Sequence, residues 1–383
     1  MFNMTKIKAV RGDGRSFYMN HLSSNDYYSE HEKVQGRWCG RLALEFDLWD
    51  AVSSEEFSLF QRNINPKTLE KLTQRTVKSG VRFFDFQCAA PKSVSIISLF
   101  DSRLLQAHEE AVQAAMHELE DLAAVRVRTG ENVKTRNYEL TGKLLYARFT
   151  HDTSRALDPQ LHTHNVVVNL TQDADGNYKA LEALEMCRAI RYAGKVYHNH
   201  LARKCRELGY ETVDHRDEKG RIVWFDLKGV SAEVMELYSK RRREIEAEEQ
   251  KFIAEHGRKP TLAENNFLSM TTRENKLKTS DRAKVRQFQL SQLSDEQRRE
   301  LNEMVREAGR HTGSLPGNDI ETCVRMIREA LPQLYERESV LKLDKILAEV
   351  LNRNLGKAGE VAKIEAVAGK QLVLANGKRI FAK

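Results

Sequence analysis

Apolar and polar positions alternate with a period of two in two stretches of this 383-residue chain, and these, with a strand-like apolar run between them, predict three strands. Phe83, Asp85 and Gln87 alternate with Phe84, Phe86 and Cys88. The run KLLYARF, Lys143 to Phe149, is the second. The third starts at His162 and His164 and continues through Val166, Val168 and Leu170, after a Pro-containing loop has turned the chain back. Helical spacing takes over from Ser102 to Val125, with Leu104, Leu105, Ala111, Val112, Ala115, Met116, Leu119 and Leu122 on one side. Tyr192 to Leu208 is a second helix, and Asp173 to Asn177 forms a Gly-containing turn between strands. No regular βαβ repeat organises these elements. The expected fold is α+β, a central antiparallel sheet with flanking helices.

The composition shifts near GRHTGSLPGN, so residues 309–318 are expected to link a large domain, 1–308, to a small one, 319–383. The small domain reads as helical through ETCVRMIREALPQLYERESVLKLDKILAEVLNRNLG, then as a β-hairpin turning at Asn376-Gly377. No GxxxxGK[ST] loop exists, since Gly369-Lys370 lacks both the upstream glycine spacing and the following Ser/Thr, so no nucleotide motor is expected. Five cysteines without CxxC spacing read as reduced thiols. No signal-length apolar core and no run approaching a membrane span occurs, which predicts a soluble, cytoplasmic protein without membrane insertion.

Candidate chemistry concentrates in HDTSRALDPQLHTHNVVVNL, where His151, His162 and His164 fall within fourteen residues of a chain with only 12 histidines. On a strand, side chains at i and i+2 share a face, so His162 and His164 project together. With His151 ending the neighbouring strand, two strands can offer three neutral nitrogens to one cation and leave its far side open. HxH also occurs by chance, and a histidine on a half-buried strand is commonly a packed residue. Asp85 stands among three aromatic rings, where a carboxylate needs a partner, and a metal-bound imidazole supplies one through its free ring N–H; the other option is an edge-strand Asp facing water. Tyr18, Tyr27 and Tyr28 are ordinary packing residues taken alone. Beside a cation or base, a phenol can instead become a phenolate and attack phosphorus.

Together, the N-terminal tyrosines, FDFQCAAPKSVS and HDTSR…DPQLHTH resemble the conjugative relaxases of the MobF class, within the three-histidine (HUH) endonuclease family. The likeness continues through YKAL, ELGYET and YSKRR and covers roughly the first 290 to 300 residues in order. It implies a palm-like relaxase core at 1–308 and, at 319–383, the start of the helicase region that follows in long members. Whether the chain is a fragment of such a protein or a short form stays open. The resemblance implies a metal triad of His151, His162 and His164, with Asp85 supporting it and helping to activate the nucleophile. The second tyrosine pair matches Tyr27 and Tyr28, whereas the first appears here as Phe17-Tyr18, and Phe17 cannot attack. Either Tyr18 serves or Tyr27 has taken over initiation; Tyr18 is assigned first and Tyr27 second.

The implied activity is site- and strand-specific nicking and rejoining of single-stranded DNA at an origin of transfer, through a covalent 5′-phosphotyrosyl link. The implied partners are that DNA with an adjacent hairpin, plus accessory DNA-binding and coupling proteins of a conjugation system. The divalent ion is expected to be Mg or Mn. Imidazole softness alone would favour Zn, Co, Ni, Mn or Cu. A net charge of +7 agrees with a nucleic-acid partner. Basic residues cluster from Arg126 to Arg155, including Arg128, Lys134, Arg136, Lys143 and Arg148, and again at Lys240-Arg241-Arg242-Arg243, and both clusters are expected to meet phosphates. Arg155, Arg241 and, more weakly, Lys92 are the candidate phosphate contacts; an exposed lysine after a turn is the competing view of Lys92. The segment NNFLSMTTRENKLKTSDRAKVRQFQ, in the polar and helical region from about Ala247 onward, is expected to wrap the core or the DNA. Competing functions are a rolling-circle replication initiator with the same chemistry, a three-histidine metal hydrolase without covalent intermediate, and a DNA-binding module with a structural metal.

Overall fold

The computed structural model describes residues 2–8, 36–49, 51–75, 77, 80–127, 137–154, 156–218, 220–261, 264–265, 268, 282–310, 320–336, 341–357, 361, 364–365, 372–375 and 378–381. Its strands are β1 (Phe2–Lys8), β2 (Arg37–Cys39), β3 (Val81–Ala89), β4 (Ala124–Val127), β5 (Asn137–Leu140), β6 (Tyr146–Thr153), β7 (Pro159–Val168), β8 (Thr171–Gln172), β9 (Tyr178–Lys179), β10 (Thr212–Arg216), β11 (Ile222–Leu227), β12 (Leu372–Ala375) and β13 (Lys378–Phe381). The helices through the first half are α1 (Arg41–Glu45), α2 (Ser54–Gln61), α3 (Lys92–Ile97), α4 (Arg103–Asp121), α5 (Leu184–Arg188) and α6 (Ile190–Glu207). Then follow α7 (Ala232–Leu237), α8 (Lys240–His256), α9 (Arg282–Ser291), α10 (Asp295–Arg310), α11 (Ile320–Tyr335) and α12 (Leu343–Arg353).

Five strands form the central sheet in the order β1-β3-β7-β6-β2, and every neighbouring pair is antiparallel. The α+β expectation is met. Period-two alternation gives this sheet two different faces. One carries Phe84, Phe86, Cys88, Tyr146 and Val167 and packs on α4 and α6 through Ala111, Met116, Ala193 and Tyr197. The other carries Phe83, Ala147, Phe149, Val166 and Val168 under an aromatic layer of Trp38, Phe46, Phe57 and Phe60. Phe57 stacks on Phe83 with ring centroids 4.6 Å apart. Helix α2 is started by a capping box: Ser53 accepts the Glu56 N–H, and Glu56 accepts that of Ser53.

Asp85 lies on β3, an interior strand, which removes the edge-strand alternative. Other sequence expectations are corrected in detail. The second strand runs to Thr153, so His151 sits within it. The helix expected from Ser102 to Val125 stops at Asp121, because Ala124 and Val125 enter a ladder with β5. The expected linker begins inside a helix, since Gly309 and Arg310 are the last residues of α10; residues 311–319 and the Asn376-Gly377 turn lie outside the described residues. Helices α11 and α12 share an apolar cluster with Tyr192 and Val196 of α6, which docks this tail on the main body.

Below the sheet lies a polar pocket that the helix pattern did not predict. His108 of α4 is wholly buried; its Nδ1 is 2.8 Å from the Tyr197 hydroxyl and its Nε2 2.8 Å from Thr163 Oγ1. Burial pushes its pKa down to about 3. Between there and the unfolded value near 6.5, the unfolded chain binds a proton that the folded chain excludes, so stability falls as pH drops through this window. The slope is on the order of 1.4 kcal/mol per pH unit for one such group. Urea midpoints at pH 7.5 and 5.5 should fall further for the wild type than for His108→Gln; equal falls would contradict the assignment.

Candidate metal centre

The face that carries Phe83, Phe149 and Val166 changes character toward one end of the sheet. Continuing by twos along each strand, Phe83 leads to Asp85, Phe149 to His151, and Val166 to His164 and His162. Registry brings them together: His151 lies opposite His162, Phe149 opposite His164, and Gln87 opposite His164 on the other side. The three imidazoles converge, with centroids 5.2 Å apart for His151 and His162, 5.8 Å for His151 and His164, and 5.5 Å for His162 and His164.

Two of the rings are oriented from behind. The His164 Nδ1–H donates to Asp85 Oδ2 at 2.8 Å, and that of His162 donates to the Gln160 carbonyl at 2.9 Å. Each bond leaves Nε2 with a free lone pair, the arrangement by which a carboxylate or carbonyl fixes the tautomer of a metal-binding histidine. His151 Nδ1 is buried without a hydrogen-bond partner, and so is Asp85 Oδ1. Buried polar atoms are nearly always satisfied, so these orphans mark positions where a further group belongs. Burial, followed by the neighbouring His164, pulls the His162 pKa down to about 4. Burial, then His162 and His164, holds His151 well below the usual histidine value. Both rings are therefore neutral donors near pH 7, the form a metal requires. Among the described residues no group of three or more His, Cys, Asp or Glu side chains is gathered tightly enough to hold an ion as it stands. The rings would have to close on an ion by side-chain rotation. The donor set itself, three neutral imidazoles with an anchored second layer, suits a divalent cation.

The other sequence-assigned residues are placed unevenly. Tyr18, Tyr27 and Tyr28 lie outside the described residues, as do Phe17, Arg155, Arg128, Lys134 and Arg136. Lys92 is not an exposed lysine: its ammonium donates to the carbonyls of Pro159 (3.1 Å) and Tyr238 (2.9 Å), pinning β7 to the end of α7. Burial lowers its pKa. Arg148 belongs to the opposite face of β6 from His151 and is buried beside the Tyr146 hydroxyl at 3.3 Å, so it does not share the face of the three histidines. In the second basic block Arg241, Arg242 and Arg243 pair with Glu244, Glu246 and Glu236, and Lys240 with the buried Asp158. The exposed pairs are weak and exchangeable, but the block is not a bare cationic patch.

No local pattern points to the Gln160 carbonyl as the anchor of His162. It is available because the ladder slips a residue there: Gln160 and Leu161 face the single Asp152. A Pro-containing approach to a histidine pair is the nearest signal, and it does not specify a bulge.

The TrwC relaxase family model matches residues 11–295. Two Escherichia coli proteins named multifunctional conjugation protein TraI are similar to the chain. One is 32% identical over 261 residues, 65% of this chain, and the other, of strain K12, 33% identical over 258 residues, 64% of this chain. The alignment spans only 14% of the length of either relative. Among solved structures, a metal-bound conjugative relaxase TrwC in complex with oriT DNA superposes with a TM-score of 0.62 at 28% identity, covering 81% of this chain and 99% of that one. A copper-bound form of the same complex gives the same TM-score, identity and coverage. TrwC bound to a 27-mer DNA comprising the recognition hairpin and the cleavage site gives 0.61 at 26% identity, with 81% and 99% coverage. The matched span holds the whole central sheet except β1 and includes the three converging histidines and Asp85, so the chain belongs to the TrwC relaxase family, the MobF class of conjugative relaxases.

Proposed function

We propose that the protein nicks and rejoins one DNA strand at an origin of transfer, by attack of a tyrosine on the scissile phosphodiester, and so starts and ends conjugative transfer. What supports this is the convergence of His151, His162 and His164 on one sheet end with Asp85 bonded to the innermost strand's imidazole. In this scheme the three histidines hold a divalent ion, Mg or Mn being the proposed species. Such an ion would withdraw charge from the non-bridging oxygens of the scissile phosphate as negative charge builds there.

The chain's own residues supply the rest. Tyr18 is the proposed first nucleophile and Tyr27 the second. Asp85 accepts the His164 N–H through Oδ2 and has Oδ1 buried and unpaired, so it can accept the phenol proton, or a hydrogen bond from it, as the oxygen attacks. The tyrosine O–P bond forms while the P–O3′ bond breaks, and the departing 3′ oxygen takes up a proton to become a hydroxyl. One phosphodiester replaces another, so the step is nearly balanced in free energy and reverses without ATP. A second tyrosine allows a new cut while the first remains joined to DNA. The proposed partners are single-stranded origin DNA with its neighbouring hairpin, and accessory and coupling proteins of a conjugation system. The proposed location is the cytoplasm; among the described residues no helix is long and apolar enough to cross a membrane.

End-labelled single-stranded DNA carrying the transfer origin, incubated with the protein and Mn²⁺ or Mg²⁺, tests this on a denaturing gel. A protein-linked band that EDTA suppresses is the expected outcome. Cleavage without any linked band would replace the proposal by metal-dependent hydrolysis, and metal-dependent folding without cleavage by a structural metal site.

A further inference from the structure

The loop that joins the two histidine strands is gripped by a helix more than a hundred residues further along the chain. At the slip in the β6–β7 ladder, Asp152 stands next to His151, while Gln160 supplies the carbonyl that orients His162. A bulge of this kind re-aims the side chains on either side of it. Beyond it, Leu157 takes a φ of 61°, in the left-handed region that a side chain larger than glycine enters only when its surroundings hold it there.

Helix α9 provides that hold from one face, through residues 282, 285 and 289. Arg282 Nη2 donates to Asp152 Oδ2 at 2.7 Å. Val285 is buried against Leu157 in a small apolar cluster of the two. Gln289 is buried, and its Nε2 donates to the Leu157 carbonyl at 2.9 Å and, at 3.4 Å, to Thr153 Oγ1. Its own carbonyl accepts the Tyr238 hydroxyl at 2.5 Å, which ties α9 back to the end of α7. An apolar side chain would cover Leu157 equally well. The amide adds a partner for the carbonyl of Leu157, whose backbone is left-handed, where an unpaired buried carbonyl would favour another backbone shape.

We propose that α9 is a positioning strap for the cation site and Gln289 its principal positioning residue. By fixing Leu157 and the Asp152 bulge, it sets how far His151 stands from His162. The inference rests on the metal role proposed for the three histidines, and two readouts separate the strap from that role.

Gln289→Leu keeps the bulk and removes both loop bonds. Hydrogen exchange across residues 150–164 reads the strap itself, and calorimetric titration with Mn²⁺, without DNA, reads its coupling to the cation site. Exchange at the loop should speed up about tenfold, and Mn²⁺ affinity should weaken about tenfold, within the range for lost outer-layer support. Adding Leu157→Asn, which tolerates a left-handed backbone, should restore part of that affinity. Unchanged exchange would overturn the strap. Faster exchange with wild-type Mn²⁺ affinity would reduce Gln289 to a structural residue and overturn the positioning role. If Gln289→Leu does not fold, Arg282→Ala, at an exposed ion pair, carries the same readouts with an expected threefold weakening. A wild type that takes up no Mn²⁺ would remove the cation site instead, while its exchange comparison still reports on the strap.

Discussion

Replacing His162 and His164 together by alanine should leave a folded protein that nicks its origin strand about 10³-fold more slowly. The fold survives because the sheet is held by apolar pairs elsewhere: Phe83, Phe149, Val166 and Val168 on this face, Phe86, Cys88 and Val167 on the other. His164 is a fifth exposed and lies at the polar end of the face, so its loss opens little core. Asp85 pays for the change, since its carboxylate loses the His164 N–H, at a cost of about 1–3 kcal/mol for a buried acceptor left unpaired. Activity falls much further. A cation that polarises a phosphoryl oxygen contributes several kcal/mol to the transition state, and about 4 kcal/mol is a factor of 10³. Single-turnover nicking of a labelled oligonucleotide, with thermal melting as the control for folding, checks both halves. Wild-type nicking by a melted-intact double variant would contradict the site.

The second large effect is expected at the proposed nucleophile. Tyr18→Phe removes only an oxygen, yet it should abolish the covalent protein–DNA band and slow first-strand cleavage by roughly 10⁴-fold or more, the scale on which an enzyme loses its covalent nucleophile. Tyr27→Phe should leave the first cut near wild type and suppress a second cut by protein already joined to DNA. The departure at Phe17 makes this pair of substitutions decisive. If the band persists in Tyr18→Phe and vanishes in Tyr27→Phe, initiation has moved to Tyr27. Tyr28→Phe serves as the control for simple loss of a ring hydroxyl in this segment.

Much of the site was legible because strand periodicity is local. HTH at the head of an alternating run already puts two imidazoles on one face, and FDF puts Asp85 on the same kind of face among aromatic rings. That His151 stands directly opposite His162 depends on ladder register, which the turn and the bulge set, and neither is written in a local pattern. The misjudged cations share a cause. Charge says nothing about direction, and the parity that aims His151 at the site aims Arg148 into the opposite core. Lys92 follows a turn, where exposure is the usual outcome, but long-range contacts with Pro159 and Tyr238 bury it. His108 looked like one more position on an amphipathic helix, because its partners Tyr197 and Thr163 are 89 and 55 residues away. Gln289 was invisible for the same reason.

The claim on which all else depends is that three imidazoles from β6 and β7 bind one divalent ion. Crystals of the protein soaked in Mn²⁺ and measured for anomalous scattering test it directly. One strong peak is expected between the rings of His151, His162 and His164, within coordination distance of a nitrogen of each, with the His164–Asp85 bond intact. No peak there at saturating Mn²⁺, or a peak held by other side chains, would contradict it.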